Sequence, residues 1–259
     1  MDADALLDTL GRTAEEVGRA LASLEDWGPA GTREGQYRSD LVADEAAVRL
    51  LLDAGLGVLS EESGLHAPDR PLLAVLDPVD GSTNAARGLP WYATSVCVLD
   101  GAGPVASVVL NQATGTRYEA VRGGGARRDG RPISPSGVRR LRESVIAVSG
   151  YPRHFLGWRQ YRAFGAMALD LCSVAEGAFD GYVDCVDAAH GGPWDYLGAL
   201  LVCEEAGAVV ADARGRPLAE LDQIVAGEAS PRSPVAAGTH ELLEELLTQR
   251  ALVPGPTSR

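Results

Sequence analysis

Apolar positions at helical spacing open the chain. Leu6, Leu7, Leu10, Val17, Leu21 and Leu24 predict one helix over residues 3–27. The Gly-rich polar stretch "WGPAGTREGQYRSD" interrupts it. Val48, Leu51 and Leu52 predict a second helix from about Asp40 to Ala54. The pattern then shortens. "GLGVLSEESG" and "PLLAVLDPVDG" read as strands that run from apolar into acidic residues, and "ATSVCVL", "PVASVVL" and "TRYEAV" read as three consecutive strands joined by Gly-bearing turns. "GGGARRDGRPIS" reads as a loop with an Asp-Gly turn.

The second half alternates. "SVIAVSG" and "GYVDCV" predict strands around "AFGAMALDLCSVAEGAF", a buried helix of small residues. "PWDYLGALLVCEEAG" predicts a helix with Pro193 near its start and Gly207 just past its end. "AVVADA", "QIVAG" and "PVAAG" predict strands; "THELLEELLTQR" predicts a closing helix capped by Thr239, and "VPGPTSR" a frayed tail. Strand runs mixed with α/β alternation suggest layered sheets and helices in two poorly separated halves, 1–140 and 141–259.

Charge narrows the chemistry. With 23 basic and 36 acidic residues the formal net charge is −13, which argues against nucleic acid as a partner. An anionic ligand would need its positive field from metal ions or helix termini. No lysine occurs, which removes Schiff-base lysines and the phosphate-binding lysines of P-loop and kinase motifs. Cys97, Cys172, Cys185 and Cys203 are widely spaced in apolar contexts and read as buried free thiols. His66, His154, His190 and His240 show no zinc spacing. The acidic opening "MDADALLDTL" does not read as a signal peptide, and no run of about 18 apolar residues occurs. A cytoplasmic protein with no membrane association is expected.

Three acidic points stand at strand ends or near helix starts: Glu61-Glu62, Asp77 with Asp80, and Asp195. Such positions gather at one edge of an α/β sheet. Carboxylates without Cys or His partners suit hard cations such as Mg²⁺, Mn²⁺ or Ca²⁺. Gly81, Ser82 and Thr83 follow, and a helix beginning there would turn free N–H groups toward an anion such as phosphate. Carboxylate-held metals beside a phosphate site describe a metal-assisted phosphatase.

The string "LDPVDGSTN", with "SEES" before it and "PWDYLGALLVCEEAG" after it, resembles the inositol monophosphatase family, which includes fructose bisphosphatases and bisphosphate nucleotidases. "GARRDGRPIS" is similar to a further loop of that family, and the resemblance spans nearly the whole chain. It implies an α/β (α+β) fold, the layered α-β-α-β-α sandwich of sugar phosphatases, and a homodimer. It implies two or three Mg²⁺ ions, with Mn²⁺ as a substitute, and hydrolysis of a small phosphate monoester by metal-activated water.

By the same resemblance, Glu61, Asp77, the Val79 carbonyl, Asp80 and Asp195 are metal ligands. Gly81, Ser82 and Thr83 bind phosphate, and Thr83 and Glu61 join the water-activating group. A further aspartate at the start of the second helix is implied there. "DLVADE" is shorter than the family's pattern: residue type favours Asp44, the downstream apolar pattern favours Glu45, and Asp44 is preferred. A lysine common just upstream is missing, with Arg38 the nearest cation. Asp184, Met167 and Arg162 are the expected substrate contacts, with Asp184 accepting from sugar or cyclitol hydroxyls. An inositol phosphate or related cyclitol or sugar phosphate is the first expectation. Histidinol phosphate, fructose bisphosphate, a 3′-phosphonucleotide or a specialised biosynthetic intermediate is the second, and an inactive metal- or phosphate-binding member the third.

Overall fold

The computed structural model describes residues 1–251 apart from 34, 153, 187, 188, 220–222, 225 and 227–229. Helices α1 (Ala3–Ala22) and α2 (Arg38–Asp53) precede β1 (Gly57–Ser60), β2 (Gly64–His66) and β3 (Leu73–Asp80). The short α3 (Ser82–Ala86) leads into β4 (Ala93–Asp100), β5 (Gly103–Asn111), β6 (Arg117–Val121), β7 (Gly125–Arg128) and β8 (Arg131–Pro132). Then follow β9 (Val145–Ser149), β10 (Gln160–Arg162), α4 (Met167–Ala175), β11 (Gly181–Asp184), α5 (Pro193–Ala206), β12 (Val209–Asp212), β13 (Pro234–Ala237) and α6 (His240–Ala251). Eight strands form one sheet in the order β2-β1-β3-β4-β5-β6-β7-β8, and five form a second, β10-β9-β11-β13-β12.

Strand alternation sorts the apolar residues into layers. Ala74, Leu76, Val96 and Val98 face Leu6, Leu10, Val17, Ala47 and Leu51 of α1 and α2. Val75, Cys97, Leu99 and Tyr118 face the other way, onto Leu171, Leu197 and Leu201 of α4 and α5, which also pack on Tyr182 and Ala236 of the second sheet. Ile146, Val148, Val183 and Val235 turn outward onto Leu242 and Leu246 of α6. The order is helices, sheet, helices, sheet, helix: the expected α-β-α-β-α sandwich. Central strands buried on both faces read as unbroken apolar runs, which is why β3 is legible from sequence.

Some elements differ from expectation. "GGGARRDGRPIS" is the β7–β8 hairpin, with Asp129 (φ 49°) and Gly130 (φ 74°) at its turn. Two positive φ angles in sequence are what a tight primed hairpin turn needs. The small-residue helix is shorter than its apolar run, starting only at Met167. Gln223 and Ile224, in the expected strand "QIVAG", are helical, and residues 225 and 227 of it lie outside the described residues, as does the tail 253–259. Thr239 caps α6 as expected, accepting the Leu242 N–H at 3.3 Å.

Candidate metal and phosphate site

A bulge makes the site. Asp77 pairs with Ser95 and Asp80 with Ala93, so three steps along β3 oppose two along β4. In a regular strand, side chains three apart face opposite sides. The extra residue turns Asp77 and Asp80 toward one locus. Pro78 suits the irregularity because it has no N–H to lend to a ladder. Its carbonyl accepts the Thr94 hydroxyl at 2.9 Å, and the Val79 N–H closes a local turn onto Asp77 Oδ1 at 2.9 Å.

Glu61 follows the end of β1, its N–H held by the Leu76 carbonyl at 3.1 Å. Asp195 lies in the first turn of α5, where Pro193 takes the first position and the Gly192 N–H donates to Asp195 Oδ2 at 2.6 Å. One carboxylate oxygen each from Glu61, Asp77 and Asp195 lies within 4.8 Å of the others. Asp80 adjoins this trio and is held from behind by the first turn of α4: Met167 N–H reaches Oδ1 at 3.2 Å and Ala168 N–H reaches Oδ2 at 2.7 Å.

Electrostatics show what such a cluster requires. Burial, followed by repulsion from Asp195, Glu62 and Asp40, raises the Glu61 carboxyl to about 8. Burial and then Asp80 raise Asp195 to about 8. Asp80 is raised to about 8 by burial, against the opposing N–H bonds from Ala168 and Met167. Asp77, wholly buried, is pushed well up by burial and then by Glu61. Carboxylates placed this close favour protonation unless a cation stands among them. Oxygen donors of one sign, without thiol or imidazole, fit a hard divalent ion.

The turn after Asp80 is sterically fixed. Gly81 has φ 84°, and a Cβ there would lie 3.0 Å from Ala166 Cβ and 3.0 Å from the Trp91 carbonyl. Only glycine fits that conformation at that spacing. Ser82 and Thr83 form the first turn of α3, whose N–H groups have no intrahelical acceptor. Asn84 clamps the turn, its amide donating to the carbonyls of Trp91 at 2.8 Å and Phe164 at 2.7 Å.

The α2 carboxylate at the site is Asp40, not Asp44. Asp40 acts on Glu61 and is raised to about 6 by burial, with the Tyr37 N–H opposing. Asp44 lies one turn further along, buried, and accepts the Ser60 hydroxyl. Glu45 is exposed. Counting acids along "DLVADE" points past Asp40 because Asp40 stands at the upstream end of that string. The local signal was a cap: the Asp40 carboxylate accepts the Tyr37 N–H at 2.8 Å, which fixes it in the helix's first turn. The nearest cation also differs from expectation. Arg38 pairs with Asp26, whereas Arg33 meets Glu62 at 2.8 Å and acts on both Glu61 and Asp40.

On the second sheet, Asp184 ends β11, fully buried, and bears on Asp195 electrostatically. Its Oδ1 accepts the Val186 N–H at 2.9 Å, and its Oδ2 lies 3.5 Å from His190 Nδ1. Met167 is present at the site through its backbone. The exposed Arg162 on edge strand β10 bonds to the Tyr161 carbonyl and the Gln160 side chain, and does not join the carboxylate group.

Comparison with known proteins agrees with this geometry. The family model described as the inositol monophosphatase family matches residues 6–251. A fructose-1,6-bisphosphatase/inositol-1-monophosphatase of Methanothermobacter thermautotrophicus is 35% identical over 266 residues, covering 91% of this chain and 93% of that protein. An inositol-1-monophosphatase of Mesorhizobium japonicum is 30% identical over 253 residues, covering 88% and 93%. Among solved structures, the extragenic suppressor protein suhB of Bartonella henselae superposes with a TM-score of 0.78 at 28% identity, covering 95% of this chain and 99% of that one.

Proposed function

The chain belongs to the inositol monophosphatase family, and from that premise we propose that it is a Mg²⁺-dependent hydrolase of small polyol phosphate monoesters, first among them an inositol or sugar phosphate. The observation that carries the reading is the approach of the Glu61, Asp77 and Asp195 oxygens to within 4.8 Å, beside a glycine-led turn with free N–H groups. Glu61, Asp77, Asp80, Asp195 and the Val79 carbonyl would hold the ions. When bound, these ions supply Lewis-acid polarisation of the phosphoryl oxygens and acidify the attacking water.

The chain's own residues do the rest. Gly81, Ser82 and Thr83 orient the phosphoryl group through their N–H groups. Asp40, raised only to about 6, is mostly ionised at neutral pH and accepts the proton of the attacking water, with Thr83 positioning it. A P–O bond to water forms as the ester P–O bond breaks, releasing inorganic phosphate and an alcohol. The leaving group's hydroxyls belong on the Asp184 side of the site; the Asp184 carboxylate is closed off from solvent, so ligand entry has to uncover it before it can accept their hydrogen bonds. The name of one relative couples fructose bisphosphate with inositol phosphate and that of the other names inositol phosphate alone, which is consistent with a polyol preference.

A homodimer is the expected assembly, and a reducing, cytoplasmic setting is consistent with the four free thiols. Among the described residues, no helix is long and apolar enough to cross a membrane. The test is phosphate release from a panel of cyclitol, sugar and nucleotide monophosphates and bisphosphates with and without Mg²⁺. Release from polyol phosphates that stops on chelation is the expected result. No Mg²⁺-dependent release from any of them would overturn the reading.

A further inference from the structure

The glycine-led turn rests on the main chain at Trp91. The Asn84 amide donates to the Trp91 carbonyl at 2.8 Å, and that carbonyl lies 3.0 Å from where a Gly81 Cβ would stand. The segment between them is closed on itself. The Leu89 N–H reaches the Asn84 carbonyl at 2.9 Å, and the Trp91 N–H reaches the Leu89 carbonyl at 2.8 Å. A shift of Trp91 therefore moves Gly81 and Asn84 with it.

The Trp91 side chain fixes that position. Its ring lies 4.8 Å from the Phe164 ring, tilted by 37°, and its indole N–H donates to Asp170 Oδ1 at 3.0 Å. Ring contact alone lets one plane slide over the other, whereas a directional N–H bond sets where the indole stops. Asp170 is 1% exposed, and burying a carboxylate is costly, so a residue kept there for packing alone would be apolar. It stands in the first turn of α4, whose Met167 and Ala168 N–H groups hold the Asp80 carboxylate. One helical turn thus grips Asp80 through its main chain and the turn 81–84 through Asp170 and Trp91. The spacing between those two is what metal-assisted attack on a bound phosphoryl group depends on, since a misplacement of about 1 Å can cost about 10²-fold in rate.

We propose that Asp170 and Trp91 are positioning residues for phosphate binding, their hydrogen bond setting the turn 81–84 in place against the Asp80 carboxylate. The proposal rests on the phosphatase reading above and adds to it two residues outside the metal and phosphate ligands.

Inorganic phosphate is the probe, titrated calorimetrically into the full chain with saturating Mg²⁺, below the unfolding transition of each variant. Trp91→Phe keeps a ring against Phe164 and removes the indole N–H; Asp170→Ala removes the acceptor. Each is expected to weaken phosphate binding by about tenfold, the worth of one charge-assisted hydrogen bond put out of line. The double variant is no weaker than the weaker single one, because both break the same link. Asp170→Asn keeps an oxygen for the indole N–H and binds phosphate within about twofold of wild type. Mg²⁺ affinity measured without phosphate stays near wild type throughout, because main-chain N–H groups hold Asp80. A merely structural role would lower thermal stability and leave phosphate affinity alone. Should Asp170→Ala fail to fold, Trp91→Phe and Asp170→Asn still decide. Phosphate affinity in Trp91→Phe within about twofold of wild type overturns the proposal and leaves the phosphatase reading intact. Absence of phosphate binding by the Mg²⁺-loaded wild type overturns both.

Discussion

The Tyr37 phenol lies 3.3 Å from the Thr83 hydroxyl. Tyr37 immediately precedes α2 and Thr83 sits in the first turn of α3, so this contact brings two helix starts together across the mouth of the site. Asp40 belongs to the same capped turn as Tyr37. The contact brings the capped turn that holds Asp40, rather than the following turn with Asp44, beside Thr83, and this supports the role proposed for Asp40. Asp40→Asn is therefore expected to lower kcat by about 10²–10⁴-fold, the usual worth of a general base. Asp44→Ala removes the acceptor of the Ser60 hydroxyl and costs about 1–3 kcal/mol of stability. Its kcat stays within a few-fold of wild type. Steady-state kinetics with urea unfolding of both variants checks this; the reverse pattern would return the role to Asp44.

Metal binding should be tied to proton release. Glu61, Asp80 and Asp195 each stand near 8 when no cation is among them, so at neutral pH the group holds protons that an ion must displace. Mg²⁺ affinity rises as pH rises from about 6 to about 9, and the number of protons released falls toward zero at the upper end. Calorimetry in two buffers of different ionisation enthalpy counts those protons. A count of zero at pH 7 would mean that the cluster is already ionised and that the crowding described above does not govern it.

These two predictions mark where the sequence was informative. The sandwich, the strands β3 to β6 and the acids Glu61, Asp77, Asp80 and Asp195 are legible because buried strands and strand-end carboxylates leave local patterns. Asp40 is not legible by counting, since its role depends on where a helix cap falls rather than on spacing between acids. Arg33 and Tyr37 lie in an irregular polar stretch without period, and only the fold carries them to Glu62 and Thr83. β10 and the β7–β8 hairpin are short elements at the ends of their sheets, and of their residues Ala126 alone is buried, so no apolar alternation announces them.

Gly81→Ala tests the turn itself. At φ 84° an alanine is strained, and its Cβ would meet Ala166 Cβ and the Trp91 carbonyl at 3.0 Å each. The neighbours are backbone and a short side chain, so the turn must shift. We expect a loss of about 1–3 kcal/mol in stability and a larger proportional loss of activity, because Ser82 and Thr83 move with it. Thermal unfolding and kcat/KM report the two separately. A folded variant with full activity would exclude these N–H groups as phosphate ligands.

Asp170 gives a pH prediction with a definite sign. It is buried in the first turn of α4 and accepts the Trp91 indole N–H at 3.0 Å through Oδ1, while Oδ2 has no hydrogen-bond partner among the described residues. Burial raises it from 3.8 to about 7, with the Trp91 bond opposing. The folded state thus binds this proton more tightly than the unfolded chain does. Its stabilising contribution is complete below the unfolded value of 3.8 and is lost as pH rises through the folded value of about 7. Asp170→Asn keeps the Oδ1 acceptor for Trp91 and removes the titration. The extra amide N–H costs the same at every pH, because it does not ionise. The variant therefore gains on wild type as pH rises from about 4 to about 7, at up to about 1.4 kcal/mol for each pH unit within that window, and the gap levels off above it. Urea unfolding of both proteins in EDTA at several pH values measures the gap. A gap that does not change with pH would show that Asp170 is charged throughout, and that some group other than Trp91 meets its second oxygen.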